Sequence, residues 1–253
     1  MTVCRPLPAP FYAGSILAVA RRLLGQLVVR EIDGRRLIGR IVETEAYAGR
    51  LDPGSHSFRG PTQRNRSMFG DLGRGYVYFT YGNHHCFNVV AGERRFAQAV
   101  LIRALEPLSD LEMWRSFRAG ATRAPSLARR IQSGAMDEDL TNGPGKLCAA
   151  LSIDRRLDGV SLVPPGPLWL ALGPPVSRVT WTPRVGLGSN PAAHWFWRCI
   201  DRESTHTTPR PVSWRSRSRP SPSIRSLIAL RARQKGESLP GSFMVCIPGK
   251  DGV

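Results

Sequence analysis

Two glutamates separated by a single residue, in the run Ile41-Val42-Glu43-Thr44-Glu45-Ala46-Tyr47, are the leading candidates for acid–base chemistry in this chain. His56, the arginines of Arg64-Asn65-Arg66-Ser67-Met68-Phe69 and the tyrosines of Tyr76-Val77-Tyr78-Phe79-Thr80-Tyr81-Gly82 follow closely. On a strand, side chains two apart share a face, so Glu43 and Glu45 point together and Thr44 points away. Like charges held that close raise one pKa, which suits general-base or general-acid work; the same pair could equally be solvated or matched to arginines. In a chain of net charge +17, this gathering of carboxylates, histidine, tyrosines and arginines points to chemistry on a nucleic-acid base.

Three further motifs bear on narrower chemistries. Arg103 stands inside the apolar run Leu101-Ile102-Arg103-Ala104-Leu105 and needs a buried partner, either in a structural ion pair or in a site. His84-His85-Cys86 offers metal ligands, but neighbours on a strand face opposite ways and no second ligand pair is spaced to complete a tetrahedral set. Neither a metal nor a cofactor is expected. Gly143-Pro144-Gly145-Lys146-Leu147 looks like part of a phosphate-binding loop, yet Leu140 replaces the required first glycine and Leu147 the required Ser or Thr, so a nucleotide-hydrolysing role fails.

At 253 residues and 42% hydrophobic content, one catalytic domain is the expectation. Residues 210–253 carry nine Arg/Lys and two Asp/Glu, or +7, which leaves +10 on residues 1–209. The body is thus basic without its tail, and such a surplus favours a polyanionic partner through counterion release; on charge alone RNA, DNA and anionic membrane all qualify. Only Lys146, Lys235 and Lys250 are lysines, so the charge is nearly all guanidinium, suited to bidentate phosphate contacts and equally explained by a GC-rich genome. The five cysteines are scattered without a Cys-x-x-Cys pair, which fits reduced cytoplasmic thiols. A short apolar patch at residues 13–20 runs into Arg21-Arg22 and reads as neither signal peptide nor membrane span.

A sheet must position these side chains. Residues 15–24 predict a helix stopped by Gly25, and 27–32 and 36–45 predict strands joined by an Asp33-Gly34 turn, the second strand carrying both glutamates. Residues 48–74, rich in Gly, Pro, Ser, Asn and Arg, predict a binding loop over the strand ends. Residues 75–81 and 84–91 flank Gly82-Asn83 as a second hairpin; 99–105 predicts a strand closed by Pro107, after which Ser109 caps a helix to about residue 117. Residues 144–151 predict a short helix, and 178–185 and 194–200 predict late strands. The fold class is therefore α+β: a single domain with a largely antiparallel curved sheet, peripheral helices and a protruding β-hairpin. Beyond residue 209 the composition turns to Arg, Ser and Pro, so 210–253 predicts a basic, disordered tail, with a basic helix over 224–234 as the less favoured reading.

The ordered series formed by the Glu43–Tyr47 box, the Arg64–Phe69 segment and the Tyr76–Gly82 hairpin resembles, nearly residue for residue, the alkyladenine (3-methyladenine) DNA glycosylase family, with its ETEAY, RNR-MF and YVY-x-x-YG motifs. The likeness spans residues 15–204 and is strongest over 39–107. The Gly143–Cys148 stretch matches a GP-x-KLC segment and Arg184-Val185-Gly186-Leu187-Gly188 an RVG-x-G segment, whereas residues 194–200 follow the family's last strand only loosely and nothing beyond 209 has a counterpart.

That resemblance implies a DNA glycosylase domain over residues 1–209. Glu45 is then the base that deprotonates a water for attack on C1′ of a flipped nucleotide, Arg103 helps hold the water, and Glu43 supports the site structurally. Tyr47, His56 and Tyr78 sandwich the purine, where a cationic alkylated ring gains roughly 1–3 kcal/mol per stacked base. Asn88 lies beneath it, crowding the 2-amino group of guanine. Tyr81 wedges into the gap left in the duplex, and Arg64, Arg66 and Lys146 are DNA contacts. A backbone carbonyl within residues 198–202 is the remaining expected ligand of the water. Lys146 is the only lysine before residue 210 and stands outside the catalytic set, so Schiff-base lyase chemistry lacks its amine and a monofunctional hydrolase is implied. The implied partner is duplex DNA carrying alkylated purines, with neutral deaminated purines demanding more of the site. A monomer is expected, with no membrane and, if bacterial, a place at the nucleoid. Two rivals stay open: a catalytically silent lesion-binding protein and an RNA-binding or RNA-processing protein.

Overall fold

The computed structural model describes residues 4–208 and 219–235. Strands β1 (Leu27–Ile32) and β2 (Arg35–Tyr47) form a hairpin whose turn residues Asp33 and Gly34 both take left-handed backbone angles, φ +49° and +75°. Strand β2 serves three neighbours. Its first half pairs with β1, its second half with β8 (Arg198–Asp201), and β5 (Ala99–Pro107) runs along the other edge. The β2–β5 register slips between Ile41 and Thr44 and leaves Arg103 without a Cα partner. A bulge of this kind re-aims a side chain, and here it sets Arg103 beside both glutamates.

Strands β3 (Gly75–Thr80) and β4 (His84–Val90) add a hairpin at one end of the sheet, β6 (Leu168–Ala171) closes the other end against β1, and β7 (Val179–Thr182) pairs with β8. Among the described residues the eight strands belong to one sheet and every strand pairing is antiparallel, so the fold is α+β with few helices. Helix α1 (Ile16–Leu23) buries Ile16, Leu17, Val19, Ala20 and Leu23 against the sheet. Thr44, pointing away from the glutamates, donates its hydroxyl to the Ala20 carbonyl at 2.9 Å. Helices α2 (Leu111–Gly120), α3 (Pro125–Gln132) and α4 (Pro144–Ala150) pack as a group beside β4 and β5.

Several elements differ from expectation. Helix α2 is capped by Asp110, whose carboxylate accepts the Met113 N–H, because Ser109 is engaged by the Ile38 N–H at 2.8 Å. The β3–β4 turn holds Tyr81 as well as Gly82 in the left-handed region, at φ +50° and +70°, so β3 ends at Thr80, one residue short of the expected strand, with Tyr81 at the hairpin tip as expected. Helix α3 and strand β6 were not foreseen: α3 buries only Ile131 fully, with Leu127 and Ala128 beside it, and β6 is four residues, too short for alternation to register. The late strands are shorter than predicted, since Pro183 cannot continue the ladder of β7.

Residues 219–235 contain helix α5 (Ile224–Lys235), seated against the domain. The Phe196 N–H donates to the Ser221 carbonyl and Trp197 Nε1 to the Pro222 carbonyl, each at 2.8 Å; Ile224 is buried, with Leu227 and Ile228 packed beside it. Apolar residues at i, i+3 and i+4 give this part of the basic segment a face to bury, where composition alone read as solvated tail. The remainder of 210–253 lies outside the described residues. Among the described residues, no helix is long and apolar enough to cross a membrane.

Candidate active site

At the centre of the molecule three carboxylates and three guanidiniums are buried together: Glu43, Glu45 and Asp52 with Arg103, Arg184 and Arg198. Glu43 Oε1 accepts from Arg103 Nε at 2.8 Å and Arg198 Nε at 2.5 Å, while its Oε2 accepts the Thr208 N–H at 2.7 Å. Burial alone would raise the Glu43 pKa, but the two guanidiniums and these hydrogen bonds outweigh it and hold the carboxyl below its ordinary value. Glu45 Oε1 accepts the Val185 N–H at 2.7 Å and lies 3.4 Å from Arg103 Nη1; its Oε2 accepts the Tyr47 hydroxyl at 2.9 Å. A carboxylate oxygen has two acceptor sites, so Glu45 Oε2 keeps one for a further donor. Arg103 bridges the pair: burial lowers its pKa, but the charges of Glu45 and Glu43 raise it further, so it remains cationic.

In front of this cluster lies a cavity of about 270 Å³ lined by Tyr47, His56, Tyr76, Tyr78, Asn88 and Arg103, among others, and by the segment 185–187. Glu45 does not line it, but its three partners Tyr47, Arg103 and Val185 all do. His56 stands edge-on to Tyr78 at 4.6 Å between ring centroids and shares a 2.9 Å hydrogen bond between Nδ1 and the Tyr76 hydroxyl. Burial, then the nearby charge of Arg64, pushes the His56 pKa down, so the ring is neutral at physiological pH. Burial and the charge of Glu45 push the Tyr47 pKa well up, keeping its hydroxyl a donor. Asn88 is buried in the floor, its amide donating to the Tyr76 carbonyl at 3.0 Å.

Tyr81 projects from the hairpin tip at the cavity rim with 79% of its surface exposed, its ring 5.7 Å from that of His84. The basic residues are placed unequally. Arg64 is exposed, with its guanidinium 5.2 Å over the Tyr78 ring and a 3.2 Å bond to the Phe79 carbonyl, and Arg66 is exposed at the start of the turn Arg66–Phe69. Lys146 stands apart from the cavity. It lines a separate groove with His84, His85 and Arg118, and it is bonded to Asn142 at 2.6 Å. His84 and His85 face aromatic neighbours, Tyr81 and Phe79 respectively. Among the described residues no group of three or more His, Cys, Asp or Glu could hold a metal ion.

Sequence reasoning missed Val185, Asp52 and Arg184 as parts of the site. The late backbone group that reaches Glu45 is the Val185 N–H, while β8, in the 198–202 stretch expected to supply a water-binding carbonyl, is laddered to β2 and β7. The one available signal was the Arg184-Val185-Gly186-Leu187-Gly188 run itself.

The site thus combines an antiparallel sheet, a buried carboxylate–guanidinium cluster behind an aromatic cavity, and an exposed tyrosine on a hairpin at the cavity rim. A sequence model of the methylpurine-DNA glycosylase family matches residues 10–205. Among curated relatives, a protein of Carboxydothermus hydrogenoformans is 43% identical over 185 residues, covering 72% of this chain and 89% of that one. A Methanocella arvoryzae protein is 40% identical over 199 residues (78% and 93%), and one from Streptomyces avermitilis is 42% identical over 206 (79% and 90%). All three are named, provisionally, as 3-methyladenine DNA glycosylases. The chain belongs to the methylpurine-DNA glycosylase family, a family of DNA-repair glycosylases.

Proposed function

We propose that the protein is a monofunctional purine DNA glycosylase that extrudes alkylated purines from duplex DNA and hydrolyses their N-glycosidic bond, leaving an abasic site. The observation that carries this reading is the enclosure of Glu45: a buried carboxylate whose three partners all line one aromatic cavity. In this reading Tyr81 occupies the gap in the duplex and offsets the unstacking of the flipped nucleotide, a cost of a few kcal/mol. The base stacks among Tyr47, His56 and Tyr78, with Asn88 beneath it. A neutral His56 does not repel a cationic ring, and the aromatic faces favour it. Arg64 and Arg66 meet phosphates near the pocket mouth, and Lys146 meets them from the groove on the other side of the hairpin.

Glu45 accepts a proton from a water held with Arg103. The water oxygen bonds to C1′ while the C1′–N bond breaks and its electrons leave with the base. A cationic 3-methyl- or 7-methylpurine departs neutral without prior protonation, whereas hypoxanthine requires a proton, so deaminated purines should be poorer substrates. No amine nucleophile is required, and the reaction ends at the abasic site. The catalytic unit lies within residues 1–209 and acts as a monomer, with residues 210–253 an accessory segment.

A lesion panel tests the proposal. Duplexes containing a 3-methyladenine analogue, 7-methylguanine or hypoxanthine are incubated with the protein and heated in alkali. Strand breaks at the alkylated purines are expected; binding without breaks would favour a silent lesion-binding protein, and preference for RNA at fixed salt would redirect the reading.

A further inference from the structure

Arg184 is fully buried 2.5 and 2.8 Å from the two oxygens of Asp52, itself fully buried, and also donates to the Ala46 carbonyl at 3.0 Å. Its guanidinium carbon lies 4.6 Å from the Tyr47 ring centroid, 5.2 Å from that of Trp197 and 5.9 Å from that of Trp195. Tyr47 lines the base cavity and Arg184 does not, so the guanidinium stands behind the ring. One residue further on, the Val185 N–H bonds Glu45. Gly54, which also lines the cavity, leaves room for this packing: a Cβ there would stand 2.9 Å from Arg184 Nη2.

A charge enclosed in this way is expensive to keep. Burial lowers the Arg184 pKa, though the hydrogen bond and charge of Asp52 more than reverse the effect, and Nε has no hydrogen-bond acceptor among the described residues. Filling the same volume with apolar side chains is often at least as stable as a buried ion pair, so stability alone is a weak reason for this one. Its partners suggest another. Arg184 joins three separate stretches of chain: the end of β2 through Ala46 and Tyr47, the loop over the strand ends through Asp52, and the 183–187 segment that carries Val185.

We propose that Arg184, clamped by Asp52, is a positioning residue for base excision: it fixes the Tyr47 ring as the rear wall of the pocket and holds the Tyr47 hydroxyl and the Val185 N–H together on Glu45. It touches neither substrate nor water and acts through Tyr47 and Glu45. The inference rests on the glycosylase reading above. A planar, bidentate guanidinium suits the task, because it stacks on a ring and grips a carboxylate at once, which an ammonium cannot do. Arg184→Lys should therefore keep the charge but lose the ring's orientation.

The test is a double-mutant cycle on single-turnover excision of an alkylated purine from duplex DNA. Arg184→Met, which keeps much of the volume without the charge, should slow excision by roughly 10–100-fold, and Arg184→Lys by an intermediate amount. In a Tyr47→Ala background, where no ring remains to orient, Arg184→Met should cost much less than in the wild type. A denaturant midpoint that shows each variant fully folded at the assay temperature separates positioning from general structural support. An equal fold-loss of rate with and without Tyr47 overturns the inference, as does a wild-type rate in a folded Arg184→Met. Should Arg184→Met not fold, Arg184→Lys carries the same cycle. If the wild-type protein itself excises nothing, the glycosylase reading fails; if it excises and the cycle is additive, only this inference fails.

Discussion

Glu43 and Glu45 lie two residues apart on one strand, both are fully buried, and both share Arg103, yet their surroundings differ in kind. The other partners of Glu43 are Arg198 and the Thr208 N–H, which tie the late chain back to β2 and have no place in the cavity lining. Those of Glu45 are the Tyr47 hydroxyl and the Val185 N–H, both in the lining. The shared face puts the two carboxylates side by side, but what each does is set by the chain segments that arrive later to meet it. Glu43 ties late chain segments to β2, and Glu45 stands behind the aromatic cavity.

The largest expected consequence is at the structural tie. Glu43→Gln removes the buried charge that Arg198 and Arg103 both contact and should destabilise the fold by about 3–5 kcal/mol, read as a lower denaturant midpoint; Glu45→Gln should cost clearly less. Equal losses would dissolve the distinction. The two should also differ with pH. Because the folded-state pKa of Glu43 is depressed, its contribution to stability is complete above the unfolded carboxylate pKa and is lost as pH falls through the folded value. Acid unfolding should therefore be shallower in Glu43→Gln than in wild type, and an unchanged acid limb would show that Glu43 is not held ionised.

A smaller effect should follow from removing residues 210–253. The cut uncovers Trp197 and deletes the buried Ile224, an apolar burial worth about 2 kcal/mol, so Tm should drop by roughly 4–8 °C while excision per folded molecule persists. Loss of +7 from the chain should also flatten the salt dependence of DNA binding. An unchanged Tm would mean that α5 contributes nothing to the domain, and an unchanged slope that the segment does not meet phosphates. The least change in stability is expected at Tyr81, which is exposed: Tyr81→Ala should leave Tm alone and slow excision about tenfold, a loss of ~1.4 kcal/mol, with a weaker defect when the lesion is mispaired and already easier to flip. The same defect on paired and mispaired lesions would argue against a wedge.

Much of this arrangement was legible in the sequence because it is local. Period-two spacing placed Glu43 and Glu45 on one face, Asp33-Gly34 announced its hairpin, and an arginine within an apolar strand had to find buried carboxylates. What could not be read depends on distant chain. No spacing rule brings Val185 to Glu45 across 140 positions, or matches Asp52 to Arg184 across 132. The cap at Asp110 was misassigned to its neighbour because both residues are good caps and only the tertiary bond from Ile38 decides between them. Composition misjudged residues 219–235, where the small apolar face of α5 is outnumbered by Arg and Ser and counts only because Phe196 and Trp197 anchor the preceding Ser221 and Pro222 to the domain.

The central claim is that Glu45, and not Glu43, serves the chemistry. It is tested most directly by measuring lesion-duplex affinity and single-turnover excision side by side for Glu45→Gln. The account predicts affinity close to wild type and a rate reduced by about 10²–10⁴-fold, since the amide fills the same space but cannot take the proton. A Glu45→Gln protein that binds and excises at the wild-type rate would contradict it.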